Sequence, residues 1–192
     1  MTRIVAGQAR GRRLKVPASG TRPTSDRARE AVFSSLESQL GGFAGLSVVD
    51  LYAGSGALGL EALSRGALRV DLVESGHEAI AALRQNVTAV GLAGGWVQPV
   101  AVERWARERD AAIAPAQLLL ADPPFDVTDQ KIGAVFTRLA EVGGIAAGCI
   151  VVVERPTRGG PFAWPPGFIG DRDRRYGEAT MWFGHFDSVT AC

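Results

Sequence analysis

The chain has 192 residues, 46% hydrophobic and 21% charged, a profile that fits a globular protein with one sizeable core. No apolar run is long enough to cross a bilayer, and Met1-Thr2-Arg3-Ile4-Val5 is not the start of a secretory signal. Two cysteines, Cys149 and Cys192, make neither a disulfide framework nor a zinc site, so a reducing cytoplasm is expected. The net charge of +1 hides an uneven distribution: residues 1–29 carry eight Arg or Lys against Asp26, a local +7, which leaves −6 for the rest.

Residues 3–16 alternate weakly. Ile4, Leu14 and Val16 can face a core while Arg13 and Lys15 face out, and Gly7 and Gly11 bracket a turn; the pattern predicts a β-hairpin. Pro17–Pro23 reads as a linker, and Ser25 or Thr24 caps a helix carrying Arg27, Ala31, Val32, Phe33 and Leu36. Gly41-Gly42 ends it. Strands and helices then alternate: strand 47–51, helix 57–65, strand 69–74, helix 77–90, strand 96–100, helix 103–112, strand 117–121, helix 130–142 and strand 149–154. Two further strands, 168–175 and 179–186, have no helix between them and read as a hairpin on one edge. Such alternation implies an α/β fold with a parallel sheet covered on both faces. A plain dinucleotide fold would instead end on a sixth parallel strand.

The first of these strands runs into Asp50-Leu-Tyr-Ala53-Gly54-Ser55-Gly56-Ala-Leu-Gly59. Gly54, Gly56 and Gly59 have the G-x-G-x-x-G spacing, which gives a tight turn, close approach to a ligand and close helix–strand packing. Free N–H groups at the following helix N-terminus suit a carboxylate or phosphate. Glu74, twenty residues beyond Gly54, is placed to accept hydrogen bonds from ribose hydroxyls. Either a nicotinamide dinucleotide or S-adenosylmethionine fits so far. Asp50 beside the loop disfavours a pyrophosphate and suits a ligand with an ammonium and a sulfonium. After the fourth strand comes Asp122-Pro123-Pro124-Phe125. Consecutive prolines cannot extend a strand, so a carboxylate, rigid carbonyls and an aromatic plane meet at its end. That set suits a planar amino group, and methyl transfer to an amino group needs it where hydride transfer does not.

Residues 50–66, Asp-Leu-Tyr-Ala-Gly-Ser-Gly-Ala-Leu-Gly-Leu-Glu-Ala-Leu-Ser-Arg-Gly, resemble the glycine-rich motif of class I S-adenosylmethionine-dependent methyltransferases. With Arg3-Ile-Val-Ala-Gly, Gly11-Arg-Arg-Leu, Thr21-Arg-Pro-Thr-Ser-Asp-Arg-Ala-Arg-Glu30 and Asp122-Pro-Pro-Phe125, the chain most resembles the bacterial RsmD family, which methylates the exocyclic N2 of a guanine in 16S rRNA. The resemblance weakens after about residue 155. It implies a Rossmann-like, seven-stranded, mostly parallel sheet with an antiparallel C-terminal hairpin. Residues 1–20 would form a basic N-terminal β-hairpin extension and 21–192 the methyltransferase domain. It implies donor contacts from Asp50, residues 53–59, Glu74 and Asp122. The backbone of Val102 would meet adenine, where many such enzymes place an acid; Glu103 is the nearest acid here. Asp122 and the Pro123 carbonyl would hold the target amino group and Phe125 would pack on the base.

The cationic arm, Arg10, Arg12, Arg13 and Lys15, would grip phosphates of 16S rRNA or the assembled small ribosomal subunit. A monomer with no metal and no membrane contact is expected. His77 and His185 have no partners at metal-ligand spacing, and no Gly-x-Ser-x-Gly elbow supports a hydrolase. Trp105, Trp164 and Trp182 read as packing residues, and Tyr176 has no motif. The rival readings are amino methylation of adenine N6 or of a protein glutamine, a nucleotide-binding oxidoreductase, and a non-catalytic RNA-binding module.

Overall fold

The computed structural model describes residues 2–17, 25–110 and 112–188; most of the Pro17–Pro23 linker, Thr24 and Cys192 lie outside them. Two short strands, β1 (Thr2–Arg3) and β2 (Arg13–Leu14), pair antiparallel as the expected N-terminal hairpin. Helix α1 (Asp26–Leu40) follows, capped by Ser25, whose hydroxyl accepts the Ala28 N–H at 3.2 Å, a standard way to satisfy a first-turn donor.

The main sheet contains β3 (Ser47–Leu51), β4 (Arg69–Glu74), β5 (Gly95–Pro99), β6 (Ala116–Ala121), β7 (Ile145–Pro156), β8 (Phe168–Tyr176) and β9 (Ala179–Phe186). Their spatial order is β5-β4-β3-β6-β7-β9-β8. The first five are parallel, and β9 runs antiparallel to both β7 and β8. Seven strands with an antiparallel terminal hairpin is the arrangement expected. Every residue of β3 is buried, as a strand covered on both faces requires. At the far edge β8, by contrast, carries Asp171, Arg172, Asp173, Arg174 and Arg175.

Helices α2 (Ala57–Ser64) and α3 (His77–Val90) join α1 on one face, around Phe33, Leu60, Leu72 and Leu83. Helices α4 (Val102–Glu108) and α5 (Asp129–Glu141) cover the other, around Trp105, Leu119, Phe136 and Val151. Trp105 is thus core, and Trp164 and Trp182 pack against the same cluster.

Two boundaries differ from the reading of the sequence by more than two residues. Helix α4 ends at Glu108 rather than near 112. Arg109 leaves helical geometry there and turns inward, 3.7 Å from Asp71, stacked on Trp105 and donating to the Ala114 carbonyl. Strand β7 begins at Ile145 rather than 149, because a bulge against β6 absorbs the extra residues between the Ala116–Ile145 and Leu118–Ile150 pairs. No helix among the described residues is long and apolar enough to cross a membrane.

Candidate active site

The order of strands reverses at β3, which pairs with β4 on one side and β6 on the other. Ligands of open α/β sheets bind at such a switch point, beyond the carboxyl ends of the strands. Here a cavity of about 450 Å³ opens there. The register aligns Leu51 with both Val73 and Ala121, so Asp50, Glu74 and Asp122 come from three adjacent strand ends. All three line the cavity, with Ala53, Gly54 and Ser55 of the loop and Val102 at the start of α4.

Gly56 and Gly59 do not line it. Gly59 acts behind the wall: its N–H donates to Asp50 Oδ2 at 2.8 Å, and a Cβ there would sit 2.4 Å from Leu72 Cδ2 and 2.9 Å from Asp50 Oδ2. Only glycine lets α2 lie this close to β3 and β4. Asp50 is 1% exposed, and its Oδ1 has no hydrogen-bond partner. Burial, opposed by the Gly59 N–H and reinforced by Glu74, pushes its pKa up to about 7. Glu74 accepts from Gly54 N–H at 2.8 Å through Oε2, and from Ser75 and Gly76 N–H at 2.8 and 2.7 Å through Oε1. Its carboxylate therefore holds the loop in place and keeps about one lone-pair direction for a ligand.

Two residues at the cavity escaped the sequence reading as ligand-binding groups, and a third, Glu103, had only its position beside Val102 noted. Arg29 lines it and is 1% exposed; its Nη1 has no hydrogen-bond partner. Its Nη2 is held by the Arg3 carbonyl and by Asp26 at 2.8 Å, and its Nε lies 3.8 Å from Glu61. Tyr52 also lines the cavity, with a buried hydroxyl that has no partner. Its φ of 59° is the one positive value at a non-glycine among the described residues, a form of backbone strain that collects at functional sites. Its hydroxyl pKa rises to about 12 through burial, helped by Glu103 and opposed by Arg155. Glu103 is the third, on the wall beside Val102. The signal in the sequence for Arg29 was its place in the family-like stretch 21–30; its burial emerges only in the fold.

At the proline turn, Asp122 N–H makes the last ladder bond, to Leu51 O at 3.4 Å. The Pro124 carbonyl accepts the Val127 N–H at 3.0 Å, which closes the turn and leaves the Pro123 carbonyl outside that bond. Asp122 and Pro124 line the cavity, Pro123 between them is buried, and Phe125 is 54% exposed. Burial, then the neighbouring carboxylates Glu154 and Asp50, raise the Asp122 pKa well above the ordinary carboxylate range, against the pull of Arg155. Phe125 lines a second cavity of about 200 Å³ with Asp129, Arg155, Arg158 and Gly160.

Arg10, Arg12, Arg13 and Lys15 are all exposed on the hairpin, and Lys15 Nζ bonds to Gln85 at 2.9 Å. The hairpin itself is fixed to the main body. Buried Glu61 of α2 accepts the Val5 and Ala6 N–H at 2.7 and 2.9 Å, Ser64 accepts from Ala9 N–H at 2.9 Å, and Asn86 exchanges two bonds with Lys15. A Cβ on Gly7 would lie 2.0 Å from the Ser64 carbonyl. Val16 and Pro17, just after the hairpin, line the larger cavity. Among the described residues no three His, Cys, Asp or Glu side chains gather as metal ligands.

Comparison with known proteins gives a consistent picture. Residues 2–185 match the model of a family described as Conserved hypothetical protein 95. The Ribosomal RNA small subunit methyltransferase D of Escherichia coli is 31% identical over 179 residues, 92% of this chain and 85% of that protein. Among solved structures, the Thermus thermophilus hypothetical protein TTHA0928 superposes with a TM-score of 0.77 at 34% identity, covering 95% of this chain and 98% of that one. Escherichia coli yhhF gives a TM-score of 0.80 at 28% identity, covering 97% and 98%.

Proposed function

The chain belongs to the RsmD family, and from that membership we propose that it is an rRNA methyltransferase, carrying a methyl group from S-adenosylmethionine to the exocyclic N2 of a guanine in 16S rRNA. The observation that carries the reading is the shared cavity: the glycine loop, Asp50, Glu74 and Asp122 converge on one space. Its inventory suits the donor. Asp50 Oδ1 and Arg29 Nη1 are buried groups of opposite charge without hydrogen-bond partners, and an amino-acid end with an ammonium and a carboxylate would satisfy both. Glu74 would take a ribose hydroxyl, and the backbone at Val102 would meet the adenine.

The bound donor supplies an electrophilic methyl group on a sulfonium. The guanine amino nitrogen is a poor nucleophile, because its lone pair is delocalised into the ring. Asp122 and the Pro123 carbonyl would accept its two N–H bonds, turning the lone pair toward the methyl and stabilising positive charge as it develops on nitrogen. Holding both reactants in line supplies much of the rate. The amino proton then leaves to Asp122 or to water. The base must be splayed out to reach this depth, and exposed Phe125 would stack on it. The exposed cations of the hairpin would bind the surrounding phosphates. Such a substrate puts the reaction in the cytoplasm.

Transfer of labelled methyl from S-adenosylmethionine to small-subunit particles, naked 16S rRNA, DNA and protein tests the reading. Label on guanine N2 in rRNA is the expected result. Label confined to adenine N6 or to a glutamine would keep the amino-group chemistry and overturn the guanine assignment. Asp122→Ala should lower turnover by at least about a hundredfold, the scale of a lost transition-state acceptor, while calorimetry shows donor binding largely retained.

A further inference from the structure

The smaller cavity beyond Phe125 shares no lining residue with the larger one. Arg155, at the end of β7, forms part of its wall. The Nε of Arg155 lies 3.1 Å from Asp129 and its Nη2 donates to the Val127 carbonyl at 2.8 Å, while Nη1 has no hydrogen-bond partner. Asp129 is already engaged, accepting the Ala163 N–H at 3.2 Å as well. The second cation, Arg158, is exposed and makes no ion pair among the described residues. It sits on a short 3₁₀ turn, Thr157–Gly159. That turn is anchored, not loose: Thr157 N–H donates to the Glu178 carbonyl at 2.8 Å, and its hydroxyl bonds to that of Thr180 at 2.9 Å.

The register adds a third cation. Thr180 of β9 pairs with Arg155 on one side and with exposed Arg175 of β8 on the other. Residues paired across strands point to the same face, with neighbouring strands about 4.8 Å apart. The cavity is thus bounded by one aromatic ring and the guanidinium groups of Arg155 and Arg158, with Arg175 on the same face of the sheet two strands from Arg155, and its single carboxylate, Asp129, is already paired with Arg155. That composition matches a sugar-phosphate backbone leaving a stacked base.

We propose that this cavity is a subsite for the phosphodiester adjoining the target nucleotide, bound by Arg158 and Arg175, with the target base itself on Phe125. The proposal rests on the reading of rRNA as substrate. It makes RNA contact two-sided, with the N-terminal hairpin on one flank of the donor cavity and the β7–β9–β8 end of the sheet on the other.

The test compares the full-length protein with Arg158→Gln, Arg175→Gln and, as a control for lost charge, Arg107→Gln, an exposed arginine in the last turn of α4. Steady-state methyl transfer is measured on whichever rRNA substrate the wild type uses, and RNA binding is titrated against salt. The expected result for the two subsite variants is a KM for RNA raised at least fivefold and a salt slope shallower by about 0.7–0.9 each. Their kcat should stay within twofold, donor affinity should be unchanged, and Arg158→Lys should recover most of the loss. If the subsite variants match Arg107→Gln, the subsite is refuted while rRNA remains the substrate. If the wild type itself transfers nothing to rRNA, the substrate reading and the subsite fall together.

Discussion

The two carboxylates proposed to act at the site would have different tasks, and pH would separate them. Asp122 would stabilise positive charge on the amino nitrogen and take its proton only when ionised, yet its surroundings favour the protonated form. Activity should therefore climb with pH along an acid limb set by Asp122. Glu154→Gln removes a like charge, so that limb should move to lower pH in a kcat/KM profile; an unmoved limb would assign it to another group. Asp50 is different, because its pKa is pushed up to about 7 in the folded protein and lies near 3.9 in an unfolded chain. Between those values the unfolded state has released a proton that the native state keeps. Stability thus falls as pH rises from about 4 to about 7, by a few kcal/mol in order of magnitude. Asp50→Asn keeps an acceptor for the Gly59 N–H and removes the charge. It should unfold at higher denaturant than wild type at pH 8 and bind the donor at least tenfold more weakly.

At the level of elements, the strands were legible because their burial is written into composition: Ser47–Leu51 and Cys149–Glu154 are too apolar to lie anywhere but inside a sheet. The glycine loop was legible for the same kind of reason, since its spacing follows from a turn and a close approach. What the sequence hid was tertiary. Glu61 looks like an ordinary helical glutamate within Ala57–Ser64, but it is fully buried, accepts two hairpin N–H groups and pairs with Arg65 at 3.0 Å. Tyr52 was hidden as well, because neither a backbone torsion nor an orphaned hydroxyl has a sequence signature. The expected consequence is that Glu61→Ala costs about 3–5 kcal/mol, the range for breaking a buried ion pair. Urea denaturation would measure it, and a loss under 1 kcal/mol would mean that the other anchors, Ser64, Asn86 and the apolar contacts, suffice to dock the hairpin.

Across the molecule, the N-terminal hairpin is packed into the same body as the cavity proposed for the donor. Reading residues 1–20 as a separate unit suggests that their removal spares the donor site. The packing of Ile4 and Leu14 into the core, with Val16 and Pro17 on the cavity wall, leads to the opposite expectation. Deleting residues 1–16 should lower the melting temperature and weaken donor binding together. Replacing only Arg10, Arg12, Arg13 and Lys15 by Gln should weaken RNA binding and reduce its salt dependence, with each exposed change moving stability by no more than about 0.5 kcal/mol. Thermal melts and donor titrations on both variants separate the two effects.

The charged run on β8 has a consequence of another kind. A nine-residue strand at the open edge of a sheet is a template on which a second chain could polymerise. With Asp171, Arg172, Asp173, Arg174 and Arg175 along it, an incoming strand would have to bring matching charges at successive positions. Resistance to aggregation during synthesis and the proposed contact with RNA would thus be served by the same few residues.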